Sequence, residues 1–240
     1  DGASWSGNIE TPIVNPKNSS QIMYYRGKRI LDGIFNTLID HYGFKDATDF
    51  VFGGGSAGGL AAFLHTKYIA DNYVDLTKTI MVSLPDVGYF IEYNGYNGMT
   101  NWANNLKFLY NLQNMTGIYD DKCLNSSNNY NNSECIFPQN IARNNDPIPT
   151  FVLNSQYDQY QATSILGTGT SNATLLNEYG QNFTRLFIDN FLVYNTKIYG
   201  GYIDGCYHHD AQSPIYWTGL NIDGDTQATA FMKFYNGIKY

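Results

Sequence analysis

Basic residues are scarce in this 240-residue chain: 14 Lys and Arg stand against 21 Asp and Glu, for a formal net charge of −7. That balance argues against nucleic acid as a partner, because displacing its counterions takes clustered Lys and Arg. Charge of either sign is thin, at 15% of residues. No apolar run approaches the roughly 18 residues of a membrane span, so no membrane insertion is expected. Internal repeats and linker-like stretches are missing as well. The chain therefore reads as one domain, with ample length for a core.

Cysteine is limited to Cys123, Cys135 and Cys206. Cys123 and Cys135 flank a polar Asn/Ser loop that a disulfide can close in an oxidising compartment; the alternative is two free thiols. Cys206 is left over, either free or paired with a residue upstream. The chain starts at Asp1 with no methionine and no signal-like stretch, which reads as a mature product or a fragment. Six N-x-[ST] sequons, at Asn18, Asn114, Asn125, Asn131, Asn172 and Asn182, point with the cysteines to a secreted glycoprotein. The abundance of tyrosine and asparagine carries little functional weight.

The most informative stretch that is present is Phe50-Val51-Phe52-Gly53-Gly54-Gly55-Ser56-Ala57-Gly58-Gly59-Leu60. A short apolar run ends in glycines, and a helix-compatible stretch follows at once. Gly54-x-Ser56-x-Gly58 is the pattern of a nucleophile elbow, a turn too sharp for ordinary side chains beside the serine. The same letters fit two phosphate-binding patterns less well. Gly53-x-Gly55-x-x-Gly58, with Asp86 as ribose ligand, matches a dinucleotide fingerprint. No Gly-Lys-[Ser/Thr] follows, which excludes a P-loop.

Around this stretch, helices and buried strands alternate. A helical stripe from Lys28 to His41 stops at Gly43. Strands are expected at 49–52, at 79–84 (closed by Pro85), at 149–154 and at 197–203. Helices are expected from Ala57 to about Ala70, over 174–194 and over 226–238. Residues 1–20 read as loop. From about 95 to 147 the pattern dissolves, apart from an amphipathic piece at 102–112; an excursion of that length suggests a lid or cap inserted over a site. The alternation implies an α/β fold, a mostly parallel sheet with helices on both faces and sites at the carboxyl ends of its strands.

A serine nucleophile needs a base for its proton and an acid to orient that base. His41 and His65 lie on helices and read as structural or surface residues. His208 and His209 sit together after a strand, and either reaches a site there as a loop residue. Asp158 follows the strand at 149–154. The order serine, acid, histidine is that of α/β-hydrolases. With Asp210, the histidine pair also suggests a surface metal site, which would leave Ser56 unexplained.

These pieces resemble the pectin acetylesterase family, which also contains the animal carboxylesterase Notum. The likeness is carried by Asp1-Gly2-Ala3-Ser4-Trp5-Ser6-Gly7, Tyr25-Arg26-Gly27-Lys28-Arg29-Ile30 and Gly55-Ser56-Ala57-Gly58-Gly59. It continues through Asp86-Val87-Gly88-Tyr89-Phe90, Cys135-Ile136-Phe137-Pro138-Gln139-Asn140, Tyr157-Asp158-Gln159-Tyr160-Gln161 and Cys206-Tyr207-His208-His209, in family order across most of the chain. The resemblance implies an α/β-hydrolase-like fold, with Ser56 as nucleophile, Asp158 as triad acid and His209 as base. His209 stands three residues after a cysteine, where the family's C-x-x-H motif places it. Ala57 N–H is the implied oxyanion donor, and Asp1, Gly2, Trp5, Asp86 and Tyr89 the implied pocket; the tyrosine-rich stretch Tyr89–Tyr96 reads either as a sugar-stacking wall or, more simply, as aromatic core.

Two features depart from the family. Plant members often carry a cysteine directly after the histidine, where this chain has Asp210. The family's glycine-rich segment ending in tryptophan and cysteine, implied to supply part of the oxyanion hole, is not in these 240 residues. The expectation is an N-terminally incomplete esterase domain, weak or inactive by itself and active as a longer chain. The chemistry implied is hydrolysis of a carboxylic ester, most simply the O-acetyl groups of a pectin-like polysaccharide, with no metal or organic cofactor. The alternatives are a Notum-like deacylase of a lipidated protein and a hydrolase-like module that binds glycan without turnover.

Overall fold

The computed structural model describes residues 4–15, 17–115, 132–141, 147–195, 197–210 and 212–239. Its first strands lie where the sequence reads as loop. β1 (Ile13–Asn15) and β2 (Asn18–Met23) form an antiparallel hairpin, with Val14 opposite Ile22. Both of those side chains are exposed. The hairpin buries little, so its sequence never needed the apolar alternation that announces a strand.

Helix α1 (Gly27–His41) leads into four parallel strands that pair in sequence order. These are β3 (Asp49–Gly55), β4 (Ile80–Asp86), β5 (Thr150–Ser155) and β6 (Tyr199–Asp204). Helix α2 (Ala57–Tyr73) joins β3 to β4. Helix α3 (Asn101–Leu112) lies in the long segment between β4 and β5, and α4 (Ala173–Asn190) precedes β6. Right-handed crossovers between successive neighbouring strands put their helices on one side of the sheet. Accordingly, Leu60, Phe63 and Leu64 of α2 share a core with Tyr179, Phe183 and Phe187 of α4 and with Val152. Helix α5 (Gln227–Lys239) returns across the opposite face, where Phe231 packs with Val82, Leu84, Phe151 and Leu153. Neighbours along β4 and β5 thus point to opposite cores, the two-residue period of a strand covered on both faces.

Two boundaries differ from expectation. Strand β4 runs on to Asp86, so Pro85 lies inside it, paired with Gly54 of β3. Helix α4 ends at Asn190, and Leu192–Tyr194 is a separate 3₁₀ turn. Within the segment 95–147, α3 lies where the amphipathic piece was expected and packs Ala103 and Tyr110 into the main core. Lys107 of α3 pairs with Glu92 and Glu134, which ties that helix to two neighbouring segments. Among the described residues, no helix is long and apolar enough to cross a membrane.

Candidate active site

Ser56 stands between β3 and α2 with φ +55° and ψ −115°, a backbone state costly for any residue but glycine. What enforces it is contact on both sides. A Cβ on Gly54 would lie 2.7 Å from the Gly58 carbonyl carbon, and one on Gly59 would lie 2.4 Å from the Asp86 oxygen. A Cβ on Gly58 would meet nothing within 4 Å. The essential glycines of the turn are therefore Gly54 and Gly59, and the second glycine of the serine motif is sterically idle. The Asp86 carbonyl accepts the Ser56 N–H at 2.9 Å, which holds the nucleophile to the end of β4.

Three loops at the carboxyl ends of β3, β5 and β6 converge. His209 Nε2 lies 2.6 Å from Ser56 Oγ, and His209 Nδ1 lies 2.7 Å from Asp158 Oδ2. Asp158 is 0% exposed, and its Oδ1 accepts the Gln161 N–H at 2.9 Å. Facing an acceptor, Nδ1 carries the ring proton, which leaves the Nε2 lone pair for the serine hydroxyl. Gln161 is fixed from its other end, where Oε1 accepts the Tyr179 hydroxyl at 2.7 Å. Burial first, and the nearby Asp158 charge second, raise Tyr179 well above the usual phenol range, so it keeps the proton it donates. The arrangement can withdraw a proton from Ser56 and hold the resulting imidazolium.

The loop carrying His209 is pinned by its neighbour. His208 is buried, bonds both Asp204 oxygens at 3.0 Å and stacks on Tyr216 with centroids 3.9 Å apart. Its carbonyl accepts the Gln159 N–H at 3.0 Å, joining this loop to the one that carries Asp158. The two histidines thus go to different carboxylates, and His209 is the one that reaches the serine. Among the described residues, no group of His, Cys, Asp or Glu is arranged to hold a metal ion.

A family model described as Pectinacetylesterase matches residues 1–239. The chain belongs to the pectinacetylesterase family. It is similar to pectin acetylesterase 5 of Arabidopsis thaliana, 32% identical over 69% of this chain and 36% of that protein. Pectin acetylesterase 7 of the same plant is 29% identical over 69% of this chain and 39% of its own length. The chain therefore spans well under half of the curated relatives it matches. Among solved structures, the Wnt deacylase Notum from Drosophila superposes with a TM-score of 0.79 at 18% identity, over 98% of this chain and 65% of that one. At that identity the likeness shows the shared α/β-hydrolase fold.

Of the pocket residues this pectinacetylesterase sequence suggested, Asp86 is at the site and Tyr89 is not. Asp86 is buried at the end of β4, and its Oδ2 accepts the Gln212 N–H at 3.2 Å just beyond the His209 loop. Tyr89 is fully buried among Phe63, Phe183, Phe187 and Phe191, a core residue rather than a wall of the pocket. Val87, two residues before it, takes a left-handed backbone with φ +41°, and the Tyr89 N–H is held by Asn154 Oδ1 at 3.2 Å. Trp5 is exposed, on a 3₁₀ turn (Ser4–Ser6) that a Ser6 Oγ to His65 Nε2 bond of 3.1 Å fixes to α2. Asp1, Gly2, Cys123, Asn125 and Asn131 lie outside the described residues. Asn18 and Asn114 are exposed, Asn172 and Asn182 half-buried, and Cys206 is a free thiol.

The aromatic group beside the triad is one that residue spacing did not single out. Tyr160 stacks on the His209 ring at 5.3 Å, and Phe90 stands 6.4 Å from the same ring. Trp102 of α3 backs Phe90 at 5.7 Å. Only the position of Tyr160 two residues after Asp158 hinted at this placement.

Proposed function

We propose that this chain is the catalytic part of a serine carboxylic-ester hydrolase that removes O-acetyl groups from a pectin-like polysaccharide. The observation that carries the reading is the bonded series Ser56–His209–Asp158, completed within residues 56–209. His209 Nε2 takes the Ser56 proton as Oγ attacks the ester carbonyl, and Asp158 stabilises the imidazolium. The same proton passes to the leaving sugar hydroxyl. Water then attacks the acetyl-enzyme and gives a proton to His209, which passes it to Ser56 Oγ as the Oγ–acyl bond breaks and acetate leaves. Ala57, the first residue of α2, supplies an oxyanion donor, since N–H groups in a helix's first turn have no carbonyl partner within the helix.

Relatives named pectin acetylesterases support acetyl as the acyl group and polysaccharide as its carrier. The sequons support secretion as a glycoprotein, acting at the cell wall. Cys135 is buried and disulfide-bonded, which supports a bridge to Cys123. The decisive test uses the natural full-length chain. A fluorophosphonate should label Ser56, and acetate should be released from acetylated pectin faster than octanoate from an octanoyl ester. Absence of labelling would leave a glycan-binding module. A preference for the long acyl chain would favour a deacylase of lipidated protein.

A further inference from the structure

We infer that the glycan taken at this site is uncharged around its acetyl group, a neutral or carboxyl-esterified polymer rather than a free polyuronate; this rests on the glycan-ester reading above. The segments leaving the carboxyl ends of β3 to β6 are residues 53–59, 86–100, 155–172 and 204–226. They hold Asp86, Glu92, Asp158, Asp204, Asp210, Asp223 and Asp225, and no Lys or Arg. Cations from elsewhere answer two of these acids, Lys107 at Glu92 and Lys233 at Asp225. Histidine rings hydrogen-bond two more, His209 at Asp158 and His208 at Asp204. Asp210, beside the catalytic base, is exposed. The segments 116–131 and 142–146, outside the described residues, add three acids and two bases, so they do not reverse the sign.

Free carboxylates are held by charge-assisted bonds, above all from the planar fork of arginine. Those four segments offer no such fork, and their own charge repels a polyanion. What they offer is aromatic surface. Tyr160 keeps 41% exposure although it stacks on His209, and Tyr207 on the adjoining loop keeps 38%. Tyr207 reaches the turn that follows Tyr160: a Cβ on Gly169 would touch both Thr163 Cγ2 and the Tyr207 hydroxyl, and the Thr163 hydroxyl bonds the Tyr160 carbonyl. An aromatic ring exposed on one side covers the C–H face of a neutral pyranose while the sugar hydroxyls stay in water.

The test takes one acetylated galacturonan in two forms of equal acetyl content, with carboxyls free and with carboxyls methyl-esterified. Acetate release by the full-length protein is followed at 10 mM and 300 mM salt. The esterified form should have a kcat/KM about tenfold higher at 10 mM, and the gap should narrow at 300 mM because salt screens only the charged polymer. Asp210→Lys should shift the ratio of the two rates several-fold towards the free acid. Tyr160→Ala should lower kcat/KM for the esterified polymer at least fivefold more than for triacetin. Both variants are read as ratios, so a loss of folded protein cancels. Equal rates on the two forms at 10 mM, or a free-acid rate that is higher and falls with salt, would overturn this inference alone. No acetate from either form, with Ser56 still labelled, would overturn the glycan reading and this inference with it.

Discussion

Replacing Asp158 by asparagine separates its catalytic role from its place in the turn. Asn caps a helical turn about as well as Asp, so the bond to Gln161 N–H survives and the melting temperature should move little. That bond fixes the amide. With its one oxygen on Gln161 N–H, the NH₂ faces His209 Nδ1, where an acceptor is now required. The ring proton then moves to Nε2, 2.6 Å from Ser56 Oγ, and the imidazole has no lone pair left for the hydroxyl. A wrong tautomer in this geometry costs about 10⁴-fold in kcat, with KM little changed. The assay is hydrolysis of p-nitrophenyl acetate by the full-length protein, with circular dichroism to confirm the fold. A variant that keeps more than a tenth of the parental kcat would show that Asp158 is a turn residue and that the base is oriented otherwise.

Other outcomes follow from the same contacts. Gly58→Ala should keep the fold and gain up to about 1 kcal/mol from helix propensity. Gly59→Ala, driven into the Asp86 carbonyl, should abolish the native melt. His65 is held down to about 4, by burial first and by nearby Lys28 second. The folded protein thus binds this proton less readily than the unfolded chain. Stability should be full above about pH 6.5 and fall through pH 4, by about 2 kcal/mol at pH 5. Urea midpoints across that range check this, and His65→Gln should flatten the curve. Burial, and next the Asp204 charge, push the Cys206 thiol up, so iodoacetamide should alkylate it more slowly at pH 7.5 than free cysteine.

The parallel sheet was legible because β4 and β5 are covered on both faces and so are apolar runs, and because α1 and α4 bury one stripe each. The hairpin was not, since strands that bury little carry no pattern. Ser56, Asp158 and His209 were readable through glycines, chain order and family motifs. Spacing could not distinguish Gly58 from Gly59, because which of two adjacent glycines meets β4 depends on how the helix crosses the strand. For Tyr89 the sequence offered two readings, a sugar-stacking wall and an aromatic core, and the residue is in the core. Val87, just before it, adopts a positive φ that its branched side chain disfavours, a feature that residue spacing does not announce. Tyr160 and the Ser6–His65 contact were hidden for a plainer reason: each depends on a partner about 50 or 60 residues away.

The hydroxyl of residue 56 and the ring that activates it are separated by 153 positions, and the last strand of the sheet must pair before they meet. During synthesis the serine leaves the ribosome long before its base does. Until residue 209 has emerged and docked, that hydroxyl is chemically ordinary, so the reactive centre is armed only once β6 and the loop after it are in place.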